Sequence, residues 1–94
     1  MNLNEQQLTE VEELAGLFFS PSDVAINLEL DDNETEFFVA AVECKSTSAP
    51  IVAAYMKGWL SADITLRKAI KQSALNGSSP SQQMMLNYQK ESRI

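Results

Sequence analysis

Ninety-four residues with a formal net charge of −6, no histidine and a single cysteine set the first limits. A chain of this size makes one small fold that hides only roughly two thirds of its unfolded surface, so association with other chains would help it. The lack of histidine excludes imidazole metal sites and His-based nucleophilic triads, and Cys44 alone permits no internal disulfide, which suits a reducing compartment.

With 45% hydrophobic residues but three glycines and three prolines, the composition favours helices. A first helix is expected from Asn4, a good N-cap, with Gln7 at the capping-box position and Leu3 and Leu8 as a hydrophobic staple. It should run to about Phe18. Leu8, Val11, Leu14, Ala15 and Phe18 recur at steps of three and four and form one apolar stripe, which reads as core.

The stretch SPSDVAINLE starts a short second helix. Ser20 stands as N-cap, Pro21 at the first helical position and Asp23 at the box position near the positive end of the helix dipole, while Phe19 can staple onto Val24. A tight turn at Leu30, Asp31 and Asp32 leads to a third helix that should bury Phe37, Phe38, Ala41 and Val42 and end in KSTSAP. A short middle helix, Ala25 at the small-residue position and Leu30 after the turn match a helix-turn-helix, with Glu29 where the turn often carries glycine.

Ser48 and Pro50 open a long helix that should reach Asn76 and stop at Gly77. Val52, Tyr55, Trp59, Ala62, Leu66, Ile70 and Ala74 step along it like a coiled-coil seam. A rod on the order of 40 Å long cannot cover such a stripe with one short partner. It needs another helix, another subunit, or both, so Val52, Tyr55, Trp59, Leu66 and Ile70 are the candidate oligomer interface. A last helix, capped at Ser79 with Pro80 and Gln82 following, should fold back through Met84 or Met85 and Tyr88 as a helical hairpin.

The expected fold is therefore all-α. Residues 1–45 form an acidic, helix-turn-helix-like three-helix bundle, and residues 46–94 a long helix and a C-terminal helix in a hairpin that serves oligomerisation.

Charge divides the chain sharply. Residues 1–44 hold eleven carboxylates and no basic residue, whereas 45–94 hold seven Lys or Arg against Asp63 and Glu91, giving −11 and +5. Such a split prepares one face for polyanions and another that repels them; equally, it lets the two halves attract each other within a chain or between subunits.

No catalytic constellation emerges, and no cofactor or metal site is expected. The carboxylates follow a solvated pattern, and DDNETE lacks the length and glycine of a calcium loop. Cys44, without a histidine, reads as a buried or half-buried structural residue. Tyr55 and Trp59, one turn apart, could stack on bases, but their place on the apolar stripe favours core or subunit contact.

Base reading in the major groove draws on Arg, Lys, Asn or Gln, and Asp31, Asp32, Glu34 and Glu36 offer the opposite. Near the third helix only Asn27 and Asn33 have suitable chemistry. Phosphate contacts are expected instead from Lys57, Arg67, Lys68, Lys71, Lys90 and Arg93. No stretch approaches the roughly 20 apolar residues of a membrane span, and MNLNEQQL lacks the regions of a signal peptide, so a cytoplasmic protein with no membrane partner is expected.

The stretches ELAGLFFSPSDVAINLEL and AAYMKGWLSADITLRKAIKQSALNGSSPSQQMMLNYQ resemble the small helical proteins of phages and prophages of Bacteroidetes-type bacteria that are similar to terminase small subunits. Leu14, Ala15, Gly16, Phe18, Phe19, Ser20 and Pro21 carry the first motif. Tyr55, Lys57, Gly58, Leu66, Arg67, Lys68, Gly77, Ser78, Ser79, Pro80 and Gln82 carry the second, and the likeness spans roughly residues 13–89. It implies a non-enzymatic viral DNA-packaging protein, a homo-oligomer that binds double-stranded DNA and presents it to a terminase large subunit. The acidic third helix departs from the basic pattern such a reader needs. An acidic protein-interaction module that does not bind DNA is the alternative.

Overall fold

The computed structural model describes residues 2–77 and 79–92 and is all-α, with five helices in chain order. They are α1 (Glu5–Gly16), α2 (Pro21–Asn27), α3 (Asp32–Glu43), α4 (Pro50–Leu75) and α5 (Ser79–Ser92).

Helix starts follow the side chains three residues apart. Asn4 Oδ1 accepts from the Gln7 amide at 2.8 Å while Gln7 Oε1 accepts from the Asn4 amide at 3.0 Å, so two of the unpaired N–H groups at the start of α1 are satisfied reciprocally. Asp31 and Glu34 do the same for α3, at 2.7 and 3.1 Å. At α2, Ser20 Oγ accepts from the Asp23 amide at 3.2 Å, and Pro21 occupies the first helical position.

The C-termini of α1, α2 and α3 share one device. In each, the residue after the C-cap takes a left-handed conformation: Phe18 at φ 65°, Glu29 at 56° and Lys45 at 54°. The paired amide bonds of a Schellman turn close each end, from Phe18 to Ala15 and Phe19 to Leu14, from Glu29 to Ile26 and Leu30 to Ala25, and from Lys45 to Val42 and Ser46 to Ala41. None of the three carries glycine, the residue that holds this conformation without a steric penalty.

The chain divides into two compact units, one reaching to Ala62 and one starting at Asp63. The division falls inside α4, not at the charge boundary beside Lys45, because the first half of α4 supplies core to the N-terminal unit. There Val11, Ala15, Val24, Ala25, Phe38, Ile51, Val52 and Tyr55 form one buried cluster, with Leu3, Leu8, Leu14, Leu28 and Leu30 packed against it. The phenyl ring of Phe38 meets that of Tyr55 edge-on at 5.7 Å. The second half of α4 forms the C-terminal unit with α5.

Several expectations change at this level. Phe37 is 53% exposed, because α3 presents Phe38 to the core and its neighbour, about 100° round the helix, faces out. Phe18 lies beyond the end of α1 and sets its ring edge-on to Trp59 at 5.7 Å instead of extending the stripe. Cys44 is exposed at the C-cap of α3 rather than buried. Of the methionine pair, Met85 is the half-buried one, together with Tyr88, while Met84 is 42% exposed.

Candidate functional site

The α2–α3 pair has the lengths and turn of a helix-turn-helix, and the left-handed Glu29 sits where that turn requires the conformation. Its buried side carries Val24, Ala25 and Phe38. The outward side of α3 carries Asp32, Asn33, Glu36, Phe37, Ala40 and Glu43, all exposed. A groove in B-DNA would meet three carboxylates here and one amide, a surface that phosphates repel.

The other amide is already engaged: Asn27 Nδ2 donates to Glu10 Oε1 at 2.6 Å and ties α2 to α1. Lys57, 72% exposed on α4, lies 3.9 Å from Glu12 on α1. Asn27, Asn33 and Lys57 thus belong to the acidic N-terminal unit, and Arg67, Lys68, Lys71 and Lys90 belong to the C-terminal one. Arg93 lies outside the described residues.

Within the C-terminal unit the cations divide by role. Arg67 donates from Nε to Asp63 Oδ2 at 2.9 Å, lays its guanidinium 3.8 Å from the Tyr88 ring centroid and reaches Glu91 at 3.9 Å. The Asp63 carboxylate is nearly buried, with 10% of its side chain exposed, so the arginine supplies the charge partner that makes its burial tolerable. Arg67 therefore binds α4 to α5, and its planar head is occupied. Nearby, Ser81 Oγ donates to Ser73 Oγ at 2.9 Å, and the Gln82 side-chain amide donates to the Ala74 carbonyl at 3.1 Å, satisfying a group at the end of α4. Lys68 and Lys71, one turn apart on α4, and Lys90 on α5 are exposed.

The seam residues also separate. Val52 and Tyr55 face the core of their own chain, and the Tyr55 hydroxyl donates to the Phe19 carbonyl at 2.7 Å, so neither forms an exposed seam, although Tyr55 also lines a groove between α3 and α4. Burial pushes the Tyr55 hydroxyl above its ordinary pKa. Ile70 is buried in the C-terminal unit. Trp59 and Leu66 remain at the surface, 36% and 39% exposed. Reading the heptad alone could not separate these, because a period marks a face and not its partner.

Two further contacts lay outside the sequence reading. Gly58 brings the α4 backbone against Glu12 on α1 so closely that a β-carbon at position 58 would land inside the Glu12 carbonyl. A groove of about 660 Å³ runs between the C-terminal end of α3 and the first half of α4, lined by Val42, Met56, Trp59 and Leu60 with Lys45 and Lys57 among its walls.

Among the described residues no helix is long and apolar enough to cross a membrane. Comparison with protein-family models, with curated proteins and with solved structures yields no match.

Proposed function

We propose that this chain is a non-enzymatic, DNA-binding assembly protein resembling a phage terminase small subunit, and that it meets DNA through its C-terminal hairpin and not through α3. The observation that carries this reading is the exposure of Lys68, Lys71 and Lys90 in a unit whose two carboxylates, Asp63 and Glu91, both turn toward Arg67. That leaves an excess of positive charge available to phosphates. Lys57 and Arg67 drop out as principal contacts, the first beside Glu12 and the second held by Asp63 and Tyr88. Leu66, exposed on the seam, is the residue assigned to contact between copies.

The test is duplex binding followed as salt rises. Affinity should fall with a log-log slope of about −0.9 for each phosphate neutralised, and Lys68→Glu combined with Lys71→Glu should abolish it. A binding constant indifferent to salt, or a double variant that binds as the parent does, would sink the proposal.

The second reading, an acidic interaction module without DNA affinity, is favoured by the outward carboxylates Asp32, Glu36 and Glu43 on the helix that a DNA reader would use. Under it the double lysine variant is silent, and Asp32→Lys with Glu36→Lys destroys binding to a basic protein partner.

A further inference from the structure

The N-terminal unit, residues 1–62, contains eleven carboxylates and only two cations, Lys45 and Lys57. Both line the same apolar groove, Lys45 from the turn after α3 and Lys57 from α4. Lys45 occupies the left-handed residue that closes α3, and Lys57, 72% exposed, holds a long ion pair with Glu12 at 3.9 Å, a surface pair weak enough to yield to a better-placed carboxylate.

The same lining contains Trp59 and Leu60, 36% and 53% exposed, with half-buried Val42 and Met56. Large apolar side chains gathered in one concavity mark a docking surface more often than scattered exposed residues do. Methionine adds an adaptable wall, and tryptophan the kind of anchor on which interfaces concentrate their binding energy.

We propose that this groove receives an amphipathic helix from another protein, one that inserts two or three apolar side chains over Met56, Trp59 and Leu60 and places carboxylates against Lys45 and Lys57. The argument for the occupant is charge complementarity. A basic helix would find the surrounding carboxylates but would set its own cations against the two lysines at the apolar contact itself. A neutral one would partly desolvate both ammonium groups and bring no carboxylate to meet Lys45. An acidic helix satisfies the lysines where its apolar face is seated, and the acidic surface beyond the groove rejects misplaced registers. The inference stands whether or not the C-terminal hairpin binds DNA.

Trp59 is the sole tryptophan, so its fluorescence reports on the groove directly. The probe is a pair of tryptophan-free helical peptides of about 14 residues with leucine at i, i+3, i+4 and i+7. One carries glutamate on both flanks of the apolar face, the other lysine. The full chain should bind the glutamate peptide about tenfold more tightly than the lysine peptide, a preference that narrows as salt rises. Lys45→Glu combined with Lys57→Glu should reverse the order. Because both positions are exposed, the variant should keep its helical circular dichroism; if it does not, Lys45→Gln with Lys57→Gln must still erase the preference. Leu60→Asp should remove binding of either peptide. Equal affinity for the two peptides, or no binding of either, overturns the proposal. So does a chain that self-associates by light scattering and becomes monomeric in the lysine variant, since a second copy would then fill the groove.

Discussion

At the scale of single residues, Gly58 and Tyr55 do work that their side-chain types only partly announce. Gly58 is buried at the crossing of α1 and α4, and any β-carbon there meets the Glu12 carbonyl, so Gly58→Ala must push two helices apart. It should cost about 2–3 kcal/mol, read from chemical denaturation. Gly16→Ala provides the contrast. Its β-carbon would find the Gly58 oxygen at 3.6 Å, ordinary contact, and alanine's higher helix propensity should hold or slightly raise stability. Equal losses from the two changes would show that the crossing is looser than described.

Tyr55 yields a pH prediction. Burial raises its folded pKa above the unfolded value near 10, so the folded state keeps the phenolic proton where the unfolded chain has begun to lose it. The stabilising contribution is complete below about pH 10 and disappears as pH climbs through the raised folded value. Melting curves should therefore show an alkaline loss of stability that Tyr55→Phe diminishes. At neutral pH the same substitution should cost about 1 kcal/mol through the lost bond to the Phe19 carbonyl. An alkaline limb unchanged in Tyr55→Phe would rule out this hydroxyl as its source.

Among the elements, helix beginnings were more legible than helix ends. Asn4 with Gln7 announces a capping box at a spacing of three and Ser20 with Pro21 announces α2, because the chemistry is local, whereas the box of Asp31 with Glu34 reads in the sequence only as a turn at Leu30, Asp31 and Asp32. The ends were obscured because Phe18, Glu29 and Lys45 adopt a conformation usually signalled by glycine. That gives a direct test: Glu29→Gly and Lys45→Gly, both at exposed sites, should each raise stability by roughly 0.5–1 kcal/mol, since relief of left-handed strain outweighs the extra chain entropy of glycine. A drop in melting temperature for both would mean that those residues make compensating contacts. Phe18 is unsuitable for the test because its ring also packs on Trp59. On α3 the sequence reading buries both Phe37 and Phe38, but adjacent positions stand about 100° apart on a helix and only Phe38 reaches the core.

For the whole molecule, the packing division falls later in the chain than the charge division but still leaves each unit with its own sign of charge. Residues 1–62 carry eleven acidic and two basic side chains, or −9, and residues 63–94 carry five basic and two acidic, or +3. The sequence placed the boundary at the start of this pattern, near Lys45. Packing places it after Ala62, because Ile51, Val52 and Tyr55 on α4 complete the N-terminal core. The all-α architecture and the helical hairpin were readable from periodicity. The candidate site was readable only as a set of cations; that Arg67 would be spent on Asp63 and Tyr88, while Lys68 and Lys71 stayed exposed, depended on the register of α5 against α4, which no local pattern encodes.

The central claim, an assembly protein that takes up DNA through its basic hairpin, is tested most directly by the solution mass from light scattering, with and without a short duplex at low salt. The account predicts a discrete oligomer that gains the mass of bound DNA and loses that gain when Lys68 and Lys71 are replaced by glutamate. A particle whose mass is the same with and without the duplex would contradict it and leave the acidic face of α3 as the working surface of the protein.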